Sequence, residues 1–221
     1  MSTVIFDLDG TLADTSRDLI AAANACFRGL GLGDVLDPVG DAATAFRGGR
    51  AMLSLGFQRL GQGGAAAVEA QFPVFIDHYA AGIDVHTALY PGAMEAVAAL
   101  SDAGCRVGIC TNKPEALAED LLVRLGVRDA FAALVGADTL PVRKPDPEPL
   151  REAVRRAGGD PRRALLIGDT VTDRDTARAA GLPCVLVTFG PLGRSVAELA
   201  PEGLIGHFDE LPDAVARLMP D

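Results

Sequence analysis

Two carboxylates follow the first apolar run of the chain, and their types and spacing could do chemistry. Asp7 and Asp9 come directly after residues 4–6, and the alternation of a strand would point both side chains the same way. Two like charges at the end of a buried strand repel each other, but a hard divalent cation relieves that repulsion and prefers oxygen ligands. The segment therefore predicts a site that combines carboxylates with a metal ion.

A second pair of carboxylates follows a later apolar run at residues 164–167. Asp169 would leave the end of a buried strand, and Asp173 would fall one helical turn later on the same side. We interpret Asp169 as a metal ligand and Asp173 as a residue that orients it. A simple helix cap is the alternative interpretation for this pair.

Two further segments carry groups that could hold a phosphoryl group. Thr111 and Asn112 follow a strand candidate at 106–110, where a hydroxyl beside backbone N–H groups that open a helix would suit a phosphoryl oxygen. Lys144 lies in a proline-rich loop at 143–147, and prolines fix an extended backbone. Its ammonium could balance the charge of phosphate and carboxylates. An ordinary helix start and a solvated lysine are the alternatives for these segments.

The elements that must position these residues alternate between strand and helix. The strand candidates are residues 4–6, 106–110, 132–135, 164–167 and 184–187. Strands that alternate with helices of this length predict parallel crossovers, and hence a doubly wound, Rossmann-like α/β sheet covered on both faces. Ligands bind beyond the carboxyl ends of the strands in such sheets, and three of the four polar segments directly follow predicted strands.

The segment between the first two strand candidates carries helical patterns and glycine breaks but no convincing strand. We predict an all-helical cap domain at residues 15–88, inserted into a core domain of residues 1–14 and 89–221. Thr15 and Asp18 predict a capping box at the start of the first cap helix. Because the insert follows the first strand, it would act as a lid over the ligand-binding edge.

Composition limits the partners of the chain. Its 221 residues carry a formal charge of −10, which disfavours nucleic acid and anionic membranes. The four cysteines show no CxxC spacing and predict buried free thiols in a reducing compartment. No basic, apolar leader and no run of about 20 apolar residues is present. We therefore expect a cytoplasmic enzyme, monomeric or homodimeric.

The four segments together resemble the signature of the haloacid-dehalogenase superfamily over nearly the whole chain. The resemblance rests on Asp-Leu-Asp-Gly-Thr from Asp7 and the distant Gly-Asp-x-x-x-Asp from Gly168. The run Thr-Asn-Lys-Pro from Thr111 and the run Lys-Pro-Asp-Pro from Lys144 are similar to the phosphoglycolate-phosphatase branch. The resemblance implies a Mg²⁺-dependent phosphatase that acts on a small phosphorylated metabolite, with 2-phosphoglycolate as the expected substrate.

The resemblance also implies a role for each motif residue. Asp7 would be the nucleophile that forms an aspartyl phosphate, and Asp9 would protonate the leaving alkoxide and then activate water. The other implied roles are metal binding by Asp7, the backbone carbonyl of Asp9 and Asp169, phosphate binding by Thr111, Asn112 and Lys144, and orientation of Asp169 and Lys144 by Asp173.

Substrate choice is expected to depend on the insert. Arg47 and Arg50 flank two glycines, and one arginine could pair with a substrate carboxylate; a solvated turn is the alternative. Asp9 disfavours dehalogenation and phosphonate cleavage, since the superfamily members that catalyse those two reactions have no aspartate at this position. A sugar-phosphate mutase of the β-phosphoglucomutase type, a pyrophosphatase and a nucleotidase remain open. A non-catalytic phospho-ligand sensor is disfavoured because every motif position is filled.

Overall fold

The computed structural model describes residues 2–220 and divides the chain into two compact units. The first, here called the core unit, comprises Met1–Ala13 and Leu89–Asp221. The second, here called the insert unit, comprises Asp14–Ala88. Among the described residues, no helix is both long and apolar enough to cross a membrane.

Eight strands are present in residues 2–220, and six of them form one sheet. In chain order the strands are β1 (Thr3–Phe6), β2 (Ala13–Asp14), β3 (Ala88–Leu89), β4 (Arg106–Cys110), β5 (Ala133–Val135), β6 (Ala164–Gly168), β7 (Cys184–Val187) and β8 (Gly203–Ile205). The six-stranded sheet has the order β5-β4-β1-β6-β7-β8, and its neighbouring strands pair in parallel. The prediction of a doubly wound α/β sheet is confirmed. β2 and β3 pair with each other where the chain passes between the two units.

Nine α-helices accompany the strands in the described part of the chain. They are α1 (Ser16–Gly29), α2 (Ala42–Ala45), α3 (Gly49–Arg59), α4 (Ala65–Ala81), α5 (Ala93–Asp102), α6 (Glu115–Arg124), α7 (Glu148–Arg156), α8 (Val171–Ala180) and α9 (Leu211–Leu218). All residues of β1, β6 and β7 are buried, which explains why these strands are continuous apolar runs rather than alternating ones.

The register of the sheet aligns the carboxyl ends of its three central strands. Phe6 of β1 pairs with Ile109 of β4 on one side and with Ile167 of β6 on the other. The residues that follow these three positions therefore emerge at the same edge. This alignment brings three of the polar segments singled out in the sequence to one place.

The insert unit contains α1 to α4, and a buried carboxylate replaces the capping box expected at its start. Thr15 precedes α1 but its side chain makes no capping hydrogen bond, so that prediction is wrong. Asp18 instead accepts hydrogen bonds from the backbone N–H groups of His86 and Thr87 and from the Thr87 hydroxyl, at 2.8–3.0 Å. The contacts at residues 86–87 satisfy the carboxylate better than a solvated helix end would, because Asp18 is 2% exposed.

Candidate active site

The loop after β1 turns back sharply at the end of the strand. The strand ends at Phe6, and the carbonyl of Leu8 accepts the backbone N–H of Ala13 at 3.1 Å. Gly10 has φ +82°, a conformation that side chains rarely adopt, and its N–H donates to the carbonyl of Ala13 at 2.8 Å. Asp9 therefore lies in a tight loop beyond the strand, whereas Asp7 stands at the end of the strand, where its N–H still donates to the carbonyl of Ile167 in β6 at 2.8 Å.

Asp7 is buried and strongly perturbed. Its carboxylate accepts the N–H of Leu8 at 2.7 Å, and its other oxygen lies 3.1 Å from Nζ of Lys144. Burial raises the pKa of Asp7 to about 6; the charges of Asp173 and Asp9 add to this rise, and Lys144 opposes it. A buried carboxylate with a raised pKa at a strand end is typical of a catalytic group.

Lys144 joins the first and last motifs. Its Nζ lies 2.6 Å from Oδ1 of Asp173, and its side chain is 1% exposed. Burial lowers the pKa of Lys144, but the charges of Asp173 and Asp7 outweigh burial and raise it, so the group stays an ammonium ion. The side-chain amide of Asn112 donates to the carbonyl of Lys144 at 3.0 Å and braces the lysine loop.

Asp173 is fully engaged by neighbouring donors. Besides Lys144, its carboxylate accepts the N–H groups of Asp169 and Thr170 at 3.3 and 3.1 Å, and the Thr170 hydroxyl at 2.7 Å. A Cβ at Gly168 would lie 2.4 Å from Cβ of Asp173, so only glycine lets β6 end this close to α8. These contacts suit a residue that orients its neighbours.

Asp169 has one carboxylate oxygen without a partner. Oδ1 accepts the hydroxyl of Thr11 at 2.8 Å, whereas Oδ2 is buried and meets no hydrogen-bond donor among the described residues. Burial raises the pKa of Asp169 well above its usual range, and Asp173 and Asp7 add to the rise. Carboxylate oxygens of Asp7, Asp169 and Asp173 lie within 4.8 Å of one another, so a cation here would satisfy the orphaned oxygen.

The charge balance of the cluster favours a divalent cation. Its four carboxylates belong to Asp7, Asp9, Asp169 and Asp173, and its two ammonium groups belong to Lys113 and Lys144. When all four carboxylates are ionised, the excess of two negative charges would repel a phosphate ester, and one divalent cation would balance that excess. Oxygen donors without histidine or cysteine suit a hard cation such as Mg²⁺.

Two residues in the loops of this edge received no role from the sequence. The Nζ atom of Lys113 lies 2.9 Å from Oδ1 of Asp9, and the Lys113 side chain is 3% exposed. The hydroxyl of Thr11 donates to Asp169. The composition could have pointed to Lys113, because the chain has eighteen arginines and only two lysines, Lys113 and Lys144. Thr11 stood inside the first motif but offered no separate signal.

Thr111 lies in a loop rather than in the first turn of a helix. α6 begins only at Glu115, after Pro114, so no backbone N–H group of a helix flanks Thr111 directly. Thr111 is 2% exposed, and its hydroxyl accepts the N–H of Lys113 at 3.2 Å. Its place after β4 keeps it at the edge reached by Asp7, and its phosphate-binding role stays a prediction.

The two arginines of the insert unit differ in what they contact. Arg50 donates to both carboxylate oxygens of Glu69, at 2.8 and 3.0 Å, and its guanidinium lies 3.5 Å from the ring centre of Phe72. Arg47 lies between α2 and α3 and is exposed. Arg50 is thus engaged within its own unit.

Comparison with known proteins defines the class of this protein. A family model described as haloacid dehalogenase-like hydrolase matches residues 1–181. The chain therefore belongs to the haloacid dehalogenase-like hydrolases, as the four motifs indicated.

Relatives narrow the class to enzymes that cleave phosphate esters. Phosphoglycolate phosphatase from Mesorhizobium japonicum is 43% identical over 215 residues, which cover 97% of this chain and 94% of that protein. Phosphoglycolate phosphatase from Rhodospirillum rubrum is 38% identical over 218 residues, which cover 95% and 89% of the two chains. Together with the family, these relatives identify the chain as a phosphoric monoester hydrolase.

Solved structures share the fold over nearly the full length. A predicted phosphoglycolate phosphatase from Haemophilus somnus superimposes with a TM-score of 0.83 at 22% identity, covering 96% of this chain and 97% of that one. CbbY from Rhodobacter sphaeroides, in complex with phosphate, superimposes with a TM-score of 0.77 at 26% identity, covering 96% of each chain.

Proposed function

We propose that this protein is a Mg²⁺-dependent phosphatase that hydrolyses 2-phosphoglycolate through an aspartyl-phosphate intermediate on Asp7. The observation that carries the proposal is the buried Oδ2 of Asp169, which has no partner in residues 2–220 and lies in the same carboxylate cluster as Asp7. A buried, unpaired carboxylate oxygen is costly unless a cation binds it. The ammonium of Lys144 beside Asp7 supplies the positive charge that a phosphate ester also needs.

The reaction proceeds in two displacements at phosphorus. A carboxylate oxygen of Asp7 attacks the phosphoryl group, and the bond between phosphorus and the ester oxygen breaks. Asp9 gives its proton to the leaving alkoxide and so becomes a carboxylate. That carboxylate then removes a proton from water, whose oxygen attacks the phosphorus of the aspartyl phosphate. The bond between phosphorus and the Asp7 oxygen breaks, which releases inorganic phosphate and restores both aspartates.

The metal ion would be held by the side chains of Asp7 and Asp169 and by the backbone carbonyl of Asp9. When bound, it reduces the repulsion between the anionic nucleophile and the anionic phosphate. Asp173 would not be a ligand in this arrangement, since its oxygens already accept hydrogen bonds from Lys144, Thr170 and the backbone of Asp169.

The transferring phosphoryl oxygens would be bound by the hydroxyl of Thr111, the backbone of Asn112 and the ammonium of Lys144. Charge on these oxygens must be stabilised at the transition state, and fixed donors in a buried site do this without reorganisation. Lys144 meets that requirement because Asp173 and Asn112 hold it at both ends, through Nζ and through its carbonyl.

The substrate is inferred from relatives named phosphoglycolate phosphatase, two of which match this chain at 43% and 38% identity over nearly its full length. Phosphoglycolate carries a carboxylate that an arginine could bind. Of the two arginines considered for this role, Arg50 is already paired with Glu69, which makes Arg47 the better candidate. If Arg47→Ala and Arg50→Ala both leave the hydrolysis of phosphoglycolate unchanged, this assignment of specificity is wrong.

The test is phosphate release from a panel of phosphate esters, measured with Mg²⁺ and with EDTA. We expect metal-dependent release that is fastest with 2-phosphoglycolate. The panel also includes xylulose 1,5-bisphosphate, because a solved structure of CbbY bound to that compound matches this chain at 25% identity with a TM-score of 0.76. A faster reaction with the sugar bisphosphate would make that compound the assigned substrate. An isomerised sugar phosphate without free phosphate would indicate a mutase.

A further inference from the structure

The chain uses lysine sparingly, and both lysines pair with motif aspartates. Eighteen of the twenty basic side chains are arginines, and the exceptions are Lys113 and Lys144. Their side chains are 3% and 1% exposed, and each ammonium lies within about 3 Å of a carboxylate in the loop after β1. The proposed mechanism uses Lys144 to bind phosphate but gives Lys113 no part.

The backbone of Lys113 is fixed on both sides of its side chain. Its N–H donates to the hydroxyl of Thr111 at 3.2 Å, and its carbonyl accepts the N–H of Ala137 at 2.9 Å. From this fixed point Nζ reaches Oδ1 of Asp9 at 2.9 Å. The ammonium therefore contacts Asp9 from a defined direction.

A second observation is that arginine engages both oxygens of three carboxylates that do no chemistry in the proposed mechanism, although other arginines, such as Arg128 with Glu119, bond to one oxygen. Arg59 donates to both oxygens of Asp41, Arg50 to both oxygens of Glu69, and Arg174 to both oxygens of Glu202, at 2.6–3.0 Å. Such two-pronged pairing engages the whole carboxylate. An ammonium is a compact point charge without the planar fork that engages both oxygens of one carboxylate, so lysine is suited to a carboxylate that must also transfer a proton.

We infer that Lys113 is a positioning residue, which holds Asp9 by one oxygen and so fixes the direction in which that carboxyl group delivers its proton to the leaving alkoxide. This inference rests on the proposed function, in which Asp9 is the acid and then the base. Lys113 itself transfers no proton and forms no bond with the substrate.

The test compares two esters with different leaving groups, because a positioning role for Lys113 should matter only when the leaving group needs a proton. A simple electrostatic or structural role should affect both esters alike. The first displacement is followed by rapid quench with 2-phosphoglycolate, whose alkoxide needs protonation, and with p-nitrophenyl phosphate, whose phenolate leaves without it. We expect Lys113→Met to slow the first step with phosphoglycolate by about 10²-fold, the order of a general-acid contribution. With p-nitrophenyl phosphate the first step should change by less than about 3-fold, because no proton is required there.

Two further variants make the outcome unambiguous. Lys113→Arg keeps the charge but should engage both oxygens of Asp9, so the first step with phosphoglycolate should stay slow. A wild-type rate in this variant would contradict the role given to the lysine ammonium. In an Asp9→Asn background, Lys113→Met should cause no further loss, because residues that act through one another are not additive. A further loss there would show that Lys113 acts on something other than Asp9.

Arg106→Met is the matched control. Arg106 is exposed at the amino end of β4, the strand that leads to Lys113. Its substitution removes the same charge as Lys113→Met but far from the sheet edge that carries the motifs. It should leave both rates unchanged. Equal losses with the two esters in Lys113→Met would assign Lys113 to phosphate binding and overturn the inference. No phosphate release by the wild-type protein from either ester would instead refute the proposed function, and with it this inference.

Discussion

The core unit and the insert unit satisfy buried carboxylates in different ways. In the core unit, Lys144 pairs with Asp7 and Asp173 with a side chain only 1% exposed. In the insert unit, the carboxylate of Asp18 is equally buried but is paired with backbone N–H groups and a hydroxyl. The ion pairs of the insert unit lie nearer the solvent, as with Arg50 and Glu69, whose side chains are 50% and 59% exposed.

This contrast separates groups held for chemistry from groups held for stability. Desolvation of two charges can exceed their attraction, so a buried ion pair is a weak stabiliser and is retained for other reasons. The core unit gathers its buried charges at the edge where Asp7 and Asp169 meet, and one oxygen there lacks a partner. In the insert unit, hydrogen bonds from the backbone engage the buried carboxylate of Asp18, and the buried carboxylate of Asp41 pairs with Arg59, whose side chain is 43% exposed and so is not a buried charge.

The largest effect is expected from Asp7→Asn. We expect turnover to fall to less than about one hundredth of the wild-type rate, because the amide cannot form the phosphoenzyme. Without metal, the melting temperature should not fall, since burial disfavours the charged form of Asp7 and raises its pKa to about 6. Steady-state phosphate release and thermal melting in EDTA test the two statements. More residual turnover would refute covalent catalysis through Asp7.

The next effect concerns binding of Mg²⁺ to the core unit. Mg²⁺ should stabilise the folded wild-type protein and so raise its melting temperature. At a free Mg²⁺ concentration one hundred times the dissociation constant, the stabilisation should be about 2.7 kcal/mol. Asp169→Asn should remove this shift, because the buried Oδ2 would no longer be a carboxylate oxygen. Asp41→Asn, in the insert unit, is the control and should retain the shift. An unchanged shift in the Asp169 variant would mean that the ion binds elsewhere.

In the insert unit, Asp18→Ala should destabilise the protein by about 3 kcal/mol, because hydrogen bonds to a charged group are worth more than neutral ones and the buried donors lose their partner. Those donors are the N–H groups of His86 and Thr87 and the Thr87 hydroxyl. Urea unfolding measures the loss, and hydrogen exchange of the amides at 86 and 87 should rise first. Unaltered exchange there would contradict the role given to Asp18.

The two units should respond to pH with opposite signs. The raised pKa of Asp7 means that the folded state binds more protons than the unfolded state between about pH 4 and 6, so the metal-free protein loses stability as pH rises through that window. Hydrogen bonds from Arg59 lower the pKa of Asp41, so its contribution is present above about pH 4 and is lost as pH falls. Urea unfolding from pH 3 to 7 in EDTA tests both.

Variants separate the two contributions. Asp7→Asn should flatten the decline between about pH 4 and 6, and Asp41→Asn should flatten the loss below about pH 4. If Asp7→Asn leaves the decline unchanged, another buried group causes it.

The sequence predicted the parts of the fold that bury long apolar runs. β1, β4, β6 and β7 were anticipated because a strand covered on both faces is almost entirely apolar. β8 was missed, since Gly203–Ile205 is three residues long, begins with glycine and leaves Leu204 39% exposed. A short edge strand is specified by its neighbour in the sheet and hardly at all by its own residues.

The site was predictable where a residue type is rare for its place, and not where a partner comes from a distant segment. Carboxylates after buried strands marked Asp7 and Asp169, whose family resemblance the comparisons confirm. The bond between Thr11 and Asp169 joins residues 158 positions apart, and local sequence carries no information on it. Asp18 shows the same limit, because a capping box and a contact with residues 86–87 look identical in the local pattern.

The smallest effect is expected from Arg50→Met, which completes the contrast between the units. The guanidinium bonds to both oxygens of Glu69 and stacks on Phe72, but half of the Arg50 side chain faces solvent. Water screens such a pair, and the methionine keeps most of the apolar contact with the ring, so the melting temperature should stay within about 2 °C of wild type. A thermal melt measures this directly, with Glu69→Gln as the matched variant. A drop of more than about 5 °C would mean that this exposed pair holds α3 and α4 together, and that ionic contacts stabilise the insert unit after all.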